Sequence, residues 1–239
     1  MRPEDAIAAR AQAANPRIAT TADIPLVAAT ISDAFENDPF NRWFMRQDAG
    51  YDAARLRMYQ YLASEDIPKH HVFVAADGAA VAQWQPPGPS TLPMTWWQQL
   101  MLAPLIVRNT GLGRVGRLLR LIAFLEAHHP KDPHYYLFLL GVRQSAQGAG
   151  IGSTLLEACL ARVDAAGMPA YLENSNPKNT RLYQRHGFVI TKEAAPAPGA
   201  PQRQRGSAPL KSIESGICSI DTCDQSASSS SARIMGSEV

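Results

Sequence analysis

"RQSAQGAGIGSTLL", residues 143–156, decides the fold. Gly148, Gly150 and Gly152 alternate with Ala149 and Ile151 and lead directly into a helical pattern. Ile151, Leu155, Cys159 and Val163 recur every four residues, and Leu156 and Leu160 widen the stripe. The spacing predicts a helix over 150–166 with Gly167 as its stop. Just upstream, "HYYLFLLGV" (134–142) is a continuous apolar run of strand length, which marks a central strand covered on both faces. A helix that opens straight after such a strand presents unpaired first-turn amides and the positive end of its dipole. That arrangement suits an anion, and glycines let a phosphate approach the backbone without Cβ clashes. Gly152-Ser153 lacks the lysine of a triphosphate-binding loop, so nucleotide hydrolysis is disfavoured.

A second glycine run, "GLGRVG" (111–116), fits the G-x-G-x-x-G dinucleotide expression but sits in the wrong place. Such a fingerprint follows a strand, opens a helix, lies in the first βα unit and meets an acid about 20 residues on. Here "APLIVRNT" is a doubtful strand, and Arg114, Arg117 and Arg120 follow. The plain reading is a turn between helices beside a basic amphipathic helix; a variant gives the arginines to an anionic ligand.

Working outward, "RIATTADIPLVAATISDAFENDPF" reads as a strand, a cap at Thr21 or Asp23, and a helix with Pro25 in its first turn. Its apolar stripe is Ile24, Val27, Ala28, Ile31 and Phe35. Residues 52–65 form a second amphipathic helix, and 71–87 a hairpin turning at Asp77-Gly78. Trp96, Trp97, Leu100, Met101 and Leu105 suggest a further helix, as does "RVGRLLRLIAFLEAHHP". "PAYLENS" (169–175) is a strand, "NPKNTRLYQRHG" (176–187) a short helix ended by Gly187, and "FVIT" (188–191) the start of another strand.

Bulk properties narrow the class. The 239 residues are 46% hydrophobic and 18% charged, enough for a core, and the net charge of +2 gives no reason to expect nucleic acid or an anionic membrane. The first residues carry charges and no apolar signal region, and no apolar run approaches a bilayer span. Cys159, Cys218 and Cys223 make no disulfide framework, so a cytoplasmic setting is expected. The adjacent pairs His70-His71 and His128-His129 do not share a face, so no metal is expected. Trp43, Trp84, Trp96 and Trp97 read as packing residues.

Two motifs in order carry a resemblance. Gln147-Gly148-Ala149-Gly150-Ile151-Gly152, with Arg143 upstream, resembles the Q/R-x-x-G-x-G/A segment of GCN5-related N-acetyltransferases (GNAT). "LENSNPKNTRLYQRHGF" (172–188) resembles the segment that follows in that family, an Asn and a Tyr on a short helix before a Gly-Phe. "HPKDPHYYLFLLGV" and "YLENSNPKN" look closest to its puromycin N-acetyltransferase-like branch.

The resemblance implies an α/β fold: a mixed, mostly antiparallel central sheet with splayed strands, flanked by helices. It also implies acetyl-CoA as acyl donor and no metal. Its pyrophosphate would lie on the amides of Gln147, Gly148, Ala149, Gly150, Ile151, Gly152 and Ser153. Its pantetheine arm would pair with the strand edge at Leu139, Leu140, Gly141 and Val142, with Asn179 near the arm and Tyr183 near the sulfur. Amides near Val142 would stabilise the oxyanion. Tyr183 is the candidate acid for the leaving thiolate. Glu173, on one strand face with Tyr171, is the candidate base, with His134 as an alternative. The expected acceptor is a primary amine of a small molecule, with walls at 30–45 and 88–130. Alternatives are a protein or peptide amine, or a catalytically silent acyl-CoA-binding module; monomer and homodimer both remain open.

The domain is expected at 17–191, with a flexible stretch at 1–16. After residue 192 the Pro/Ala-rich and Ser-rich composition predicts a disordered tail at 192–239 in place of the family's last strand. "SGICSI" (215–220) is a faint strand candidate there.

Overall fold

A computed structural model describes residues 2–88 and 96–209, with the backbone alone at 96–100. Seven strands form one sheet, flanked by helices: β1 (Arg17–Ile18), β2 (Val72–Ala75), β3 (Ala80–Gln85), β4 (Tyr135–Val142), β5 (Ala170–Asn174), β6 (Val189–Ala194) and β7 (Arg203–Ala208). Their spatial order is β1-β2-β3-β4-β5-β7-β6. All neighbours are antiparallel except β4 and β5, so the sheet is mixed and mostly antiparallel, as the resemblance implied.

One face carries α1 (Pro3–Ala14) and α7 (Ile151–Ala165). The α7 stripe of Ile151, Leu155, Leu156, Cys159, Leu160 and Val163 is buried against Ala80, Ala82, Trp84, Leu137 and Leu172, as the four-residue spacing predicted. The opposite face carries α2 (Ile24–Ala34) and α4 (Tyr51–Asp66), with Val27, Ala28, Ile31 and Tyr59 on Val72, Val74, Val81 and Leu139. The turn that leads into α2 (Thr21–Asp23) is set by a capping box: the Thr20 side chain accepts from the Asp23 backbone and the Asp23 carboxylate accepts from the Thr20 amide, and from its hydroxyl as well.

Three further helices extend that second layer. The short α3 (Pro39–Phe44) begins at Asp38, whose carboxylate accepts from the amides of Phe40 and Asn41, with Pro39 fitting the first turn. Next come α5 (Trp96–Thr110) and α6 (Val115–His128). "GLGRVG" is the turn between those two helices. Arg114 and Arg117 donate to the carbonyls of Arg42 and Trp43, which are left unpaired at the end of α3. Those two arginines hold a helix end. Trp84 is a core residue and Trp43 packs beside Phe40 and Phe44; the Trp96 and Trp97 side chains lie outside the described residues.

Two expected boundaries need correction. Residues 3–14 are helical, and Ala13 is fully buried beside α7. Ala9 and Ala13, four apart, face the sheet core, where small side chains allow close approach. The expected tail boundary at 192 cuts through β6, and β7 lies wholly beyond it. β7 inserts between β5 and β6, pairing Leu172↔Gly206 on one side and Ile190↔Gly206 on the other. The sheet therefore ends on β6, whose exposed Thr191, Lys192 and Glu193 discourage further strand pairing. The 215–220 candidate, Cys218 and Cys223 lie outside the described residues. Among the described residues no helix is long and apolar enough to cross a membrane.

Candidate active site

The site starts where two parallel strands part. β4 and β5 pair only through Tyr135–Leu137 and Ala170–Leu172. From Phe138 to Val142, β4 runs on beside β3 alone, while Glu173 and Asn174 of β5 pair with β7. Among the described residues, the β5-facing edge of 138–142 therefore has no strand partner. A bulge sits at the parting: Gln83 pairs with Leu139 and Trp84 with Leu137, so Phe138 is the extra residue. Phe138 and Leu139 consequently both pack toward α2 and α4.

At the far end of the open edge lies the glycine loop. Gly148 and Gly150 have φ of +78° and +82°, left-handed values that suit glycine. Space beside Gly148 is empty, whereas a methyl on Gly152 would stand 3.0 Å from Val142 Cγ2. Among the described residues, the amides of Gly148, Ala149, Gly150, Ile151, Gly152 and Ser153 make no intramolecular hydrogen bond; the first helical bond is Thr154 to Gly150. Six free amides around a helix N-terminus form a cradle for an anion. The loop is fixed from outside. Gln147 Nε2 donates to the Val142 carbonyl at 3.0 Å, and Gln144 bonds Asp33 and Glu36 of the α2 region.

The partners expected at the fork sit on its two faces. Leu172 turns toward α7 and Glu173 the other way, by strand alternation. Tyr183, on α8 (Thr180–Arg185), packs on the α7 side, edge-on to Phe188. Its hydroxyl makes no hydrogen bond among the described residues, and burial pushes its pKa up to about 12. Asn174 ties α8 to β7 through Thr180 and Gln204, and Ser153 of α7 meets His186 at 2.8 Å. Asn179 lies exposed at the start of α8.

Glu173 occupies the opposite face, its side chain 1% exposed. Tyr171 donates to one oxygen at 2.9 Å and Tyr136 to the other at 3.2 Å, where Arg203 also ion-pairs at 3.2 Å. Burial first, and the Glu173 carboxylate second, hold both phenols above their ordinary pKa, so they remain donors at neutral pH. Arg203, from β7, lies over the Phe40 ring, and its Nε is buried without a hydrogen-bond partner among the described residues. Asp38 adds a second carboxylate nearby; it raises the Arg203 pKa and accepts from Ser175 at 2.5 Å.

His134 makes no hydrogen bond or ion pair with Glu173 among the described residues. Its Nδ1 must donate to the Asp132 carbonyl at 2.7 Å, so in the neutral ring its Nε2 accepts from His129 Nε2, 3.1 Å away. His129 stands edge-on to Tyr136 and Tyr171. Burial first, then His134, lower its pKa, so the ring is neutral at pH 7. Sequence reasoning missed Arg203, Tyr136 and His129 as site residues. Only Tyr136 carried a signal, two positions before the bulge in the apolar strand.

Comparisons with known proteins agree with this geometry. A model of the acetyltransferase (GNAT) family matches residues 82–188, which takes in the parted strands, the cradle, α7 and α8. An uncharacterized N-acetyltransferase of Schizosaccharomyces pombe is 28% identical over 178 residues, covering 70% of this chain and 71% of its own. The crystal structure of a histone acetyltransferase HPA2 and related acetyltransferase from Corynebacterium glutamicum is 28% identical with a TM-score of 0.59, covering 82% of this chain and 95% of its own. The polyamine N-acetyltransferase of Drosophila melanogaster shares the fold, with a TM-score of 0.57 at 17% identity over 82% of this chain and 99% of its own. Parted strands, a free-amide cradle between strand and helix, and a family model matched over residues 82–188 give this chain the fold of the GNAT acetyltransferases and a likeness to their N-acetyltransferase members.

Proposed function

We propose that the chain is a cytoplasmic enzyme that moves the acetyl group of acetyl-CoA onto a primary amine of a small molecule. The observation that carries this reading is the fork itself: free backbone edge and anion cradle on one side, buried carboxylate on the other. The donor's pyrophosphate lies on the free amides of 148–153; the Gln147 amide, expected among them, is taken by the Gln144 carbonyl. Its pantetheine arm extends along Leu139–Val142 as an added strand, past Asn179. The thioester reaches the bulge at Phe138, where an amide of the open edge faces its carbonyl and stabilises the oxyanion, at the other end of that edge from the expected amides near Val142, which adjoin the pyrophosphate loop.

Acyl transfer needs a neutral amine: a carboxylate at Glu173 holds the incoming ammonium and takes its first proton, and the second, released from nitrogen once the C–N bond has formed, passes to the sulfur as the C–S bond breaks. Three donors fix the two Glu173 oxygens, leaving lone-pair capacity for one more. Glu173 and Asp38 stand against Arg203 and Arg205 here, with His129 neutral, so the side is balanced overall and the Glu173 carboxylate itself, rather than a net field, receives the cation. On the other face Tyr183 is protonated at neutral pH and donates to the departing sulfur. A phenol near 12 is a weaker acid than a thiol near ~8.5, so its hydrogen bond to the thiolate, more than full transfer, eases departure.

A carboxylate 1% exposed is reached by a slender amine more readily than by a protein segment, which supports a small acceptor. The likeness of "HPKDPHYYLFLLGV" to the puromycin N-acetyltransferase-like branch, and the polyamine acceptor of the Drosophila enzyme, point the same way. Mass analysis of products from polyamines, arylalkylamines and aminonucleosides incubated with acetyl-CoA tests it. Acetylation of at least one small amine is expected. Acetylation of peptide amines alone would move the acceptor class to proteins.

A further inference from the structure

The cradle has a cation over it that comes from outside the matched region. α1 lies against α7, anchored by the fully buried Ala13 and by Ala9. Gln12 reaches Asp77, and Arg162 of α7 reaches the Pro16 carbonyl, so both flanks of the helix end are tied down. One turn before Ala13, Arg10 is carried across the start of α7. A methyl placed on Gly150 would stand 3.3 Å from Arg10 Cδ and 3.8 Å from its Nη1. Gly150 thus serves twice: it supplies the left-handed turn into α7, and its missing side chain makes room for the arginine stem.

Arg10 has no hydrogen bond or ion pair among the described residues, beside six amides that have none either. The arginine that the sequence places beside the loop, Arg143, is turned away, its Nε donating to Thr30 Oγ1 at 3.1 Å. An unpaired guanidinium next to an unpaired amide nest is an arrangement that an anion completes.

We infer that Arg10 is a donor-binding residue: it closes over the cradle and pairs with a phosphate of the acyl donor, making α1 part of the binding site. This rests on the reading of the cradle as the acetyl-CoA site. Arg10 touches no reacting atom, so its contribution appears in donor affinity and not in turnover at saturation.

The test compares wild type with Arg10→Gln and Arg10→Lys on acetyl-CoA, acetyl-3′-dephospho-CoA and acetylpantetheine, by direct binding and by KM and kcat. Arg10 is exposed, and thermal melting checks that each variant is folded. Arg10→Gln is expected to weaken acetyl-CoA binding about tenfold with kcat unchanged, the value of one charged phosphate contact. Arg10→Lys should fall between, since a point charge replaces a bidentate fork. The loss should vanish with acetylpantetheine, which has no phosphate. A loss retained on the dephospho donor assigns the contact to the pyrophosphate; a loss that disappears there assigns it to the 3′-phosphate. Equal acetyl-CoA affinity for wild type and Arg10→Gln would overturn the inference, as would an equal loss on acetylpantetheine. Wild-type protein that binds acetyl-CoA no better than acetylpantetheine would overturn the cradle reading itself, and this role of Arg10 with it.

Discussion

At the scale of single residues, the proposed chemistry rests on Glu173 of β5 and on Tyr183 of α8, which packs on the opposite side of the sheet. Tyr183→Phe removes a hydroxyl that no internal hydrogen bond uses, so stability should hold while kcat falls by about 10²-fold. Steady-state kinetics with a thermal melt on the same sample checks both halves. Glu173→Gln keeps the shape but loses the charge that receives the proton, and kcat should fall by a similar ~10² or more with acetyl-CoA affinity unchanged. Arg203 differs in kind. It is buried against Glu173, and Arg203→Met strands that carboxylate among two phenols. Denaturant unfolding should register a loss of about 3 kcal/mol. An unchanged midpoint would show that Glu173 does not need its guanidinium. As candidates, Tyr183 and Glu173 stand out in the sequence, one from a motif and one from strand alternation. Arg203 does not, because its role depends on a strand that pairs across some thirty residues of chain.

At the scale of elements, the strand–loop–helix unit was the most legible part, since each of its pieces carries its own local signal. β4 shows as an apolar run, α7 as a four-residue stripe, and the loop as glycines that positive φ requires at 148 and 150. β7 was hidden for the opposite reason. In "RQRGSA" the inward positions on one face are Gly206 and Ala208, too small to register as apolar. On the other face they are Arg203 and Arg205, whose charges are satisfied by Glu173 and the His128 carbonyl. Only tertiary partners make that stretch a strand. α1 was missed similarly, because alanines that pack closely look like a featureless tail. Gly206→Pro places a residue without an amide in a strand paired on both sides. It should cost ~3 kcal/mol or more and sharply lower the yield of folded protein, measured by circular dichroism after expression. Gly150→Ala forces a side chain into a left-handed turn and toward Arg10. About 1–2 kcal/mol of stability should be lost, together with donor affinity.

At the scale of the whole molecule, the sheet is continuous from β1 to β6, and the two half-buried histidines couple its stability to pH. Burial first, then a neighbouring histidine, lowers the pKa of both His71 and His129, while Glu173 partly opposes this at His129. Between those lowered values and the unfolded value near ~6.5, the unfolded chain binds more protons than the folded one, so stability rises with pH. The melting temperature should therefore decline as pH drops below that value, with a shallower slope in His129→Gln. An unaltered slope would place the titration elsewhere.

The central claim is that one chain segment, from the bulge in β4 to the first turn of α7, holds the acyl donor. Amide hydrogen exchange with and without acetyl-CoA tests it most directly, because the open edge at 138–142 and the amides of 148–153 have no internal partner to protect them. Added donor should slow exchange across 138–153 and around Tyr183, leaving 111–116 unchanged. Protection at 111–116 with none at 147–153 would contradict it.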